Sequence, residues 1–311
     1  MRLKSLLHPI KIGLNRRRMN FYRSSAFNSL VDSDPQKALE TFWKIQKQYP
    51  LDWNHPQTID EKIFWLEGMT DTSLWTEYSD KYQVRKHIEE IGLSQYLAKL
   101  YGVWENADEI DFLKLPDNFV LKCNHDCGSA IIVHDKSQIN VEEIKAKLNN
   151  CLQKKYGYKT CEPHYTRIHP LIIAEELIEP KNQVFASNSL IDYKFFCFNG
   201  EPLLCLVCYN RESGHVLKDL YQVDGWQRYK NTSELYKNQD FPDVVPQPDS
   251  IEEMLSIASR ISAGFPFLRV DLYNAAGRIY FGEMTFTPHG GILTCFNETA
   301  QYELGRLIPV P

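Results

Sequence analysis

Two carboxylates and a hydroxyl in the stretch RVDLYNAAGRIYFGEMTFTPHGG (269–291) could bind a divalent metal ion. Asp271 lies within an apolar run, and Glu283 ends the apolar run that follows. If the two runs are adjacent antiparallel strands, the carboxylates converge, and Thr285 shares a face with Glu283 because side chains two apart on a strand do so. Oxygen ligands of this kind suit Mg²⁺. Solvated acids at strand ends are the alternative, but apolar neighbours disfavour it because a buried carboxylate needs a partner.

A lysine and the polar turn after it, in the stretch FVLKCNHDCGSAIIVHDK (119–136), could hold phosphates. Lys122 follows three apolar residues on a predicted strand, which would aim its point charge. The turn 124–129 offers backbone N–H groups that can cover an anion. Its candidate binding residues are Asn124, His125, Gly128 and Ser129. No GxxxxGK[ST] motif occurs in the chain, and an ordinary hairpin turn explains the pattern equally well.

Two further strands carry polar side chains where each strand begins or ends. Glu175 and Glu176 end an apolar strand, where they suit a purine edge and ribose hydroxyls, or where the strand simply reaches solvent. Asp192 and Lys194 share a strand face at a spacing of two. They form either a plain salt bridge or a site in which Lys194 meets a phosphate.

The elements that must position these residues are mixed in type. Helices are predicted over 34–48, with Asp34 as cap, over 58–67, with a capping box from Thr58 to Glu61, and over 80–91. Hairpins then follow, centred on Asn199-Gly200 and on 276–277. Hairpins imply antiparallel pairing, so the predicted class is α+β and not a doubly wound parallel sheet.

Composition limits the function classes. The chain has 311 residues, 43% of them hydrophobic, and a net charge of −5. Residues 1–23 contain seven basic residues and no acidic one, so the body of the chain is acidic. That makes nucleic-acid binding an unfavoured hypothesis. The basic tail, which also carries apolar residues, either contacts an anionic membrane surface peripherally or is a solvated arm. No apolar stretch is long enough for a transmembrane helix.

Taken together, the motifs resemble the ATP-grasp superfamily and, more narrowly, the TupA-like ATP-grasp proteins of bacterial surface-polysaccharide loci. Five ordered segments from about residue 55 onward carry the resemblance: DEKIFWL, DKYQVRKHI, LPDNFVLKCNH, IDYKFFCFNGEP and FPFLRVDLYNAAGRIYFGEMTFTPHGG. Thr285 departs from the family pattern, in which Asn is usual.

The resemblance implies two α+β subdomains that grip ATP and Mg²⁺, preceded by a helical N-terminal region. The implied division is 1–57 for the basic tail and first helix, 58–118 for a helical part of the catalytic region, 119–190 for the first subdomain and 191–311 for the second. Lys81 would be a second phosphate-binding lysine. Arg269 would grip the substrate carboxylate or the γ-phosphate, and Lys194 would assist catalysis.

The implied reaction is ADP-forming ligation of a carboxylate to an amine through an acyl phosphate, in the cytoplasm. The expected substrates are a sugar acid and an amino acid or small amine. Two rival hypotheses stay open at this point. A sugar kinase on the same fold would need no amine, and a polysaccharide- or membrane-binding protein would have no use for Asp271 and Glu283.

Overall fold

A computed structural model describes residues 24–212, 215–234 and 244–310 of the chain. The basic tail lies outside these residues, so its membrane contact stays a prediction. Within the described ranges, no helix combines the length and the apolar character needed to span a bilayer.

Helices come first along the described chain, as predicted. The helices α1 to α5 are Ser25–Ser33, Pro35–Lys47, Ile59–Met69, Ser73–Ser79 and Val84–Glu90. Asp34 caps α2 by accepting the N–H of Lys37 at 3.0 Å. Thr58 and Glu61 form the predicted capping box of α3, in which each side chain accepts a backbone N–H at the helix start. Both predicted helix starts are therefore confirmed.

The third predicted helix begins later than expected. It was predicted over 80–91, but α5 starts at Val84. The Asp80 carboxylate accepts the N–H groups of Tyr82 at 2.8 Å and Gln83 at 3.2 Å, which holds this segment in a turn. Asp80 thus organises the approach to the helix and does not cap its first turn.

The first sheet has four antiparallel strands in the order β1-β4-β2-β3. These strands are Leu100–Trp104 (β1), Phe119–Cys123 (β2), Ile131–Val133 (β3) and Ile172–Glu175 (β4). Between β3 and β4 lie the helices Val141–Leu152 (α6), Gly157–Thr160 (α7) and Pro163–Thr166 (α8).

Strand β1 corrects the prediction that 58–118 is helical. As an edge strand it pairs only with β4, and all five of its residues are half-buried. It therefore lacks the apolar alternation by which a half-buried strand is recognised in a sequence.

The second sheet has five antiparallel strands in the order β7-β6-β5-β8-β9. The strands are Asp192–Phe198 (β5), Glu201–Glu212 (β6), His215–Gln222 (β7), Phe267–Ala275 (β8) and Arg278–Thr285 (β9). Helix α9 (Ile251–Ser262) packs on β5, β6 and β8, and α10 (Glu298–Gly305) packs on α3.

Tight turns join the paired strands where the sequence predicts them. Asn199 and Gly200 have φ values of 51° and 83°, and Ala276 and Gly277 have 53° and 82°. Positive φ at both central residues is the signature of a type I′ turn, whose twist matches that of the flanking strands. Both predicted hairpins are confirmed.

The apolar faces of the two sheets belong to separate cores. One core joins the second sheet to α9 and to parts of α3, α4 and α5. A second joins the first sheet to α6. A third, around Trp43 and Phe64, packs α1 and α2 against α3. The second sheet is therefore packed against a large apolar core.

Gly291, in the loop after β9, offers a test of this packing. It has φ of +75°, and a Cβ there would lie 2.8 Å from a ring carbon of Phe64. Gly277 has φ of +82° but nothing within 4 Å of such a Cβ. We expect Gly291→Ala to lower the free energy of unfolding by about 1–3 kcal/mol more than Gly277→Ala, because only the first adds overpacking to backbone strain. Urea unfolding of both variants measures this, and equal losses would contradict it.

Candidate active site

One face of the second sheet gathers the polar residues predicted from two separate motifs. Lys194 on β5 lies directly opposite Asp271 on β8, and Asp271 lies directly opposite Glu283 on β9. Directly paired residues of antiparallel strands share a face. The three side chains therefore form a row across the sheet.

A β-bulge at Gly282 makes this row possible. From the turn to Leu272 the strands pair without interruption, and Leu272 lies opposite Phe281. The register then shifts, so that Asp271 faces Glu283 and Gly282 has no partner. A Cβ on Gly282 would lie 2.9 Å from the backbone oxygen of Asp271, which explains the glycine. Such bulges re-aim side chains near functional sites.

Arg269 joins the two carboxylates. Its Nε lies 2.6 Å from Asp271 Oδ1, and its Nη2 lies 2.8 Å from Asp271 Oδ2 and 2.7 Å from Glu283 Oε1. The same Nη2 donates to the Thr285 hydroxyl at 3.0 Å. These bonds use Nε and Nη2, so gripping a substrate carboxylate with Arg269, as the sequence predicts, would fall to Nη1.

Burial and charge oppose each other at Glu283 and Lys194. Burial alone would raise the pKa of Glu283, but Arg269, Lys194 and Lys81 together hold it well below its usual value. Burial would lower the pKa of Lys194, yet Asp192 and Asp271 raise it above its ordinary value. The carboxylate and the ammonium group therefore both stay charged at neutral pH, as phosphate and metal binding require.

Asp192 lies at the first position of β5, on the same face. Its Oδ2 accepts from Arg211 at 3.0 Å and lies 3.7 Å from Lys194 Nζ. Its Oδ1 is buried and has no hydrogen-bond partner among the described residues. An orphaned carboxylate oxygen is costly unless a ligand supplies a donor, and a ribose hydroxyl would be one.

The first sheet contributes a second set of charges. Lys122 Nζ lies 2.5 Å from Glu175 Oε2, and Arg85 on α5 lies 3.0 Å from Glu175 Oε1. Arg85 also donates to the backbone oxygen of Ala98 at 2.8 Å. Glu175 is only 7% exposed. Its carboxylate thus holds Lys122 in place, with one oxygen bonded to each cation.

We expect Arg85→Met to raise the KM for ATP about tenfold, with a smaller change in kcat, because one lost charge-assisted hydrogen bond is worth about 1.5–3 kcal/mol. Without the guanidinium, Glu175 is free to rotate and Lys122 loses its fixed position. Steady-state ADP release at varied ATP measures this. Lys86→Met, one residue on, is the control because its pairing with Glu90 is solvent-exposed. Equal KM values in the two variants would contradict the prediction.

The side chains of the turn 124–129 are bonded to other parts of the protein and to the turn itself. Asn124 accepts from the N–H of Leu171 and donates to the backbone oxygen of His169, and Ser129 donates to Asp126. His125 Nε2 lies 2.8 Å from the backbone oxygen of Lys154. The side chains of Asn124, His125 and Ser129 therefore shape the turn. Gly128, with φ of +92°, has open space where a side chain would be, so backbone can approach a ligand there.

Lys81 connects this turn to the second sheet. Its backbone N–H donates to Asn124 O at 3.1 Å, and its ammonium donates to Asp126 O at 2.5 Å. Its positive charge also lowers the pKa of Glu283. The predicted phosphate-binding lysine is thus bonded to the turn, and its charge acts on the predicted metal ligand Glu283.

Glu176 lies where the two sheets approach each other. Its carboxylate accepts the N–H of Lys99 at 3.0 Å and lies 3.4 Å from the Tyr280 hydroxyl on β9. Its own N–H donates to the Lys99 backbone oxygen at 2.9 Å. Glu176 therefore fixes the exit of β4 beside β9.

Sequence reasoning missed three residues of this region. Arg85 gives no signal, because a helical arginine is ordinary until β4 is placed beside it. Lys218 on β7 lies opposite Cys208, which lies opposite Asp192, so it shares the polar face. His289, in the loop after β9, has its pKa lowered to about 4 by partial burial and then by Arg269, Lys218 and Lys194. Strand pairing reveals Lys218, whereas His289 is revealed by the nearby charges of Arg269, Lys218 and Lys194.

The donor set fits Mg²⁺. Two carboxylates and the Thr285 hydroxyl, which lies 3.0 Å from Glu283 Oε1, offer only oxygen atoms. Within the described ranges, no group of three or more His, Cys, Asp or Glu side chains is placed to hold a metal ion. Mg²⁺ is usually held by one or two carboxylates together with substrate phosphates, so two carboxylates are enough.

Comparison with known proteins gave one family and a set of distant structures. The TupA-like ATPgrasp family model matches residues 61–309. No curated protein sequence matches the chain. D-alanine–D-alanine ligase from Bacillus anthracis complexed with ATP is 13% identical, with a TM-score of 0.37, over 68% of this chain and 54% of that protein. The chain thus spans about half the length of that ligase.

Two further solved structures have similarly low sequence identities and TM-scores. D-cycloserine synthetase DcsG is 11% identical, with a TM-score of 0.41, over 89% of this chain and 79% of that protein. ATP-grasp ligase PsnB complexed with minimal precursor, Mg and ADP is 9% identical, with a TM-score of 0.39, over 85% of this chain and 66% of that protein.

Proposed function

Because this chain belongs to the TupA-like ATP-grasp family, we propose that it is an ATP- and Mg²⁺-dependent ligase that joins a carboxylate to an amine and releases ADP. The observation that carries the proposal is the direct pairing of Asp271 with Glu283 beside Lys194 and Arg269. If this face of the sheet served only to stabilise the fold, apolar residues would stabilise it more, since buried ion pairs contribute little to stability.

Each residue group has a distinct task in this proposal. Asp271, Glu283 and Thr285 hold Mg²⁺, which when bound neutralises charge on the phosphates. Lys81, Lys122 and Lys194 supply positive charge to the transferred phosphoryl group, and the turn 124–129 covers it. Asp192 accepts a ribose hydroxyl through its orphaned oxygen. Arg269 is bonded to both metal-binding carboxylates and holds them close together, so it acts as a positioning residue.

The reaction consists of two displacements. A substrate carboxylate oxygen attacks the γ-phosphorus of ATP, the bond from that phosphorus to the ADP oxygen breaks, and an acyl phosphate and ADP result. The amine nitrogen then attacks the acyl carbon, the carbon–oxygen bond to phosphate breaks, and the nitrogen loses a proton to the departing phosphate. Excluding water during both steps protects the acyl phosphate, and positioning does most of the work.

The substrates we propose are a sugar acid of a surface polysaccharide and an amino acid or small amine. The support is the family resemblance of the five motif segments. Contact of the basic tail with anionic lipid at the inner membrane face stays a prediction.

The test is ADP release by the purified protein, screened over pairs of uronic acids and amines, with mass spectrometry of the products. We expect an amide whose formation needs both substrates. If a phosphorylated sugar formed without amine, the activity would be that of a kinase and not of a ligase. An Asp271→Ala variant that keeps full activity in cells would overturn a catalytic role for the site altogether.

A further inference from the structure

A cavity of about 530 Å³ opens between the loop that joins β4 to β5 and the end of β6. We propose that this cavity, which we call the amide cavity, binds neutral sugar units of a saccharide. Its polar lining consists mainly of carboxamides, from Asn182, Gln183, Asn188 and Asn210. Its volume falls within the range of about 300–1,000 Å³ that is usual for small-molecule sites.

The loop over 176–191 is long but fixed by its own hydrogen bonds. Gln183 donates to Ser189 O at 3.1 Å and accepts the N–H of Ile191 at 2.7 Å. The Ser187 hydroxyl accepts the N–H of Asn210 at 3.1 Å, which ties the loop to β6. Lys181 O accepts the N–H of Ala276 from the β8–β9 turn. Ordered loops of this length without helix or strand are uncommon and usually functional.

Several amide groups in the amide cavity stay unused by the protein. The side chains of Asn182 and Asn188 are exposed, and neither has a hydrogen bond to any described residue. Asn210 accepts the N–H of Asn188 through Oδ1 at 3.1 Å, while its Nδ2 has no partner among the described residues. The cavity therefore presents donors and acceptors that a ligand could bond without displacing a hydrogen bond within the protein.

The chemistry of the lining favours a neutral polyol. None of the eight lining residues carries a charge, so the lining offers no cation for a phosphate or carboxylate. A carboxamide offers both a donor and an acceptor, and so matches hydroxyl groups, which are both. Phe185, half-buried and edge-on to Tyr209, adds an aromatic surface for the apolar C–H face of a sugar ring.

The amide cavity adjoins the active site without sharing its ligands. Arg211, the residue after Asn210, is bonded to Asp192 at 3.0 Å. A saccharide bound here would place a neighbouring unit of the same chain near the polar face of the second sheet. In that respect the inference rests on the proposed function. Saccharide binding is measured without turnover, so a failure of binding is distinguishable from a failure of ligase activity.

The test is saturation-transfer NMR and calorimetry on the full chain with a panel of neutral tetrasaccharides of glucose, galactose, mannose, rhamnose and N-acetylhexosamines. The key variant combines Asn182→Gly, which tolerates the φ of 53° at that position, with Asn188→Ala. Neither side chain bonds within the protein, so the fold should be kept, which the melting temperature checks. Gln36→Ala, an exposed amide on α2, is the matched control.

We expect at least one saccharide to bind, with affinity at least tenfold lower in the double variant, unchanged in Gln36→Ala, and ATP affinity unchanged in both. No binding by any saccharide at millimolar concentration would overturn the proposal. So would loss of ATP affinity in the double variant, which would make the amide cavity part of the nucleotide site. Preferential binding of a neutral tetrapeptide over every saccharide would assign it to a peptide instead.

Discussion

Glu283→Gln is expected to reduce the rate of ADP release at least about 100-fold, since even the loss of partners outside a metal's ligand shell costs about 10–100-fold. Glutamine keeps the shape and one oxygen of glutamate, so the bonds to Arg269 and Thr285 can persist. What it removes is the negative charge that Mg²⁺ requires. The half-saturating Mg²⁺ concentration should rise as well, which separates a metal ligand from a general loss of activity.

Glu298→Gln is the matched control for this change. Glu298 lies exposed in the first turn of α10, so the same charge is removed away from the site. Steady-state assays at varied Mg²⁺ compare the two variants. Equal rates and equal Mg²⁺ dependence in Glu283→Gln and the unmodified protein would remove Glu283 from the site.

Arg269→Met should destabilise the protein by about 3–5 kcal/mol, the usual cost of removing one partner from a buried ion pair. Arg269 is only 8% exposed, and its guanidinium makes two bonds to Asp271 and one to Glu283. Without it, two carboxylates on adjacent strands face each other with Lys194 and Lys81 as the remaining positive charges that act on Glu283. Urea unfolding monitored by circular dichroism gives the change in free energy.

Added Mg²⁺ and ATP should recover part of this loss, because a ligand that binds only the folded state stabilises it by mass action. Arg306→Met, an exposed position after α10, should change stability by no more than about 0.5 kcal/mol. If Arg269→Met unfolds at the same urea concentration as Arg306→Met, the guanidinium is not holding the carboxylates together.

Much of the scaffold around these residues follows from local rules. The cap at Asp34, the capping box at Thr58 and the turns at Asn199 and Ala276 each depend on residues within four positions of one another. Their chemistry is complete in a short segment, so the sequence predicts them correctly. The later start of α5 differs because the Asp80 carboxylate bonds to the turn and not to the helix.

The predicted metal-binding pair, Asp271 and Glu283, is an exception. A two-residue turn at 276–277 pairs Ala275 with Arg278, and continuing that register would set Asp271 opposite Gly282. Glu283 would then lie on the other face. The convergence expected from the residue types occurs only because of the bulge. The residue types thus predicted the convergence of Asp271 and Glu283 that the structure shows, whereas strand geometry without the bulge would place the two side chains on opposite faces.

Long-range partners account for what sequence reasoning could not supply. The bonds from Arg85 and Lys122 to Glu175 join residues that lie far apart in the chain. Lys218 joins the polar face only through the pairing of β7 with β6. The inward bonds of Asn124 and His125 likewise depend on 169–171 and Lys154. No pattern within a short segment of the sequence predicts any of these contacts.

The two bonds of Lys81 to the turn 124–129 have a kinetic consequence. Its backbone N–H and its ammonium both hold the turn, while the remaining N–H groups of the ammonium are available to a phosphate. Movement of the turn and movement of Lys81 are therefore one event. We expect the departing nucleotide to leave only as fast as Lys81 and the turn move together, so the same lysine would act in both the chemistry and the release of product.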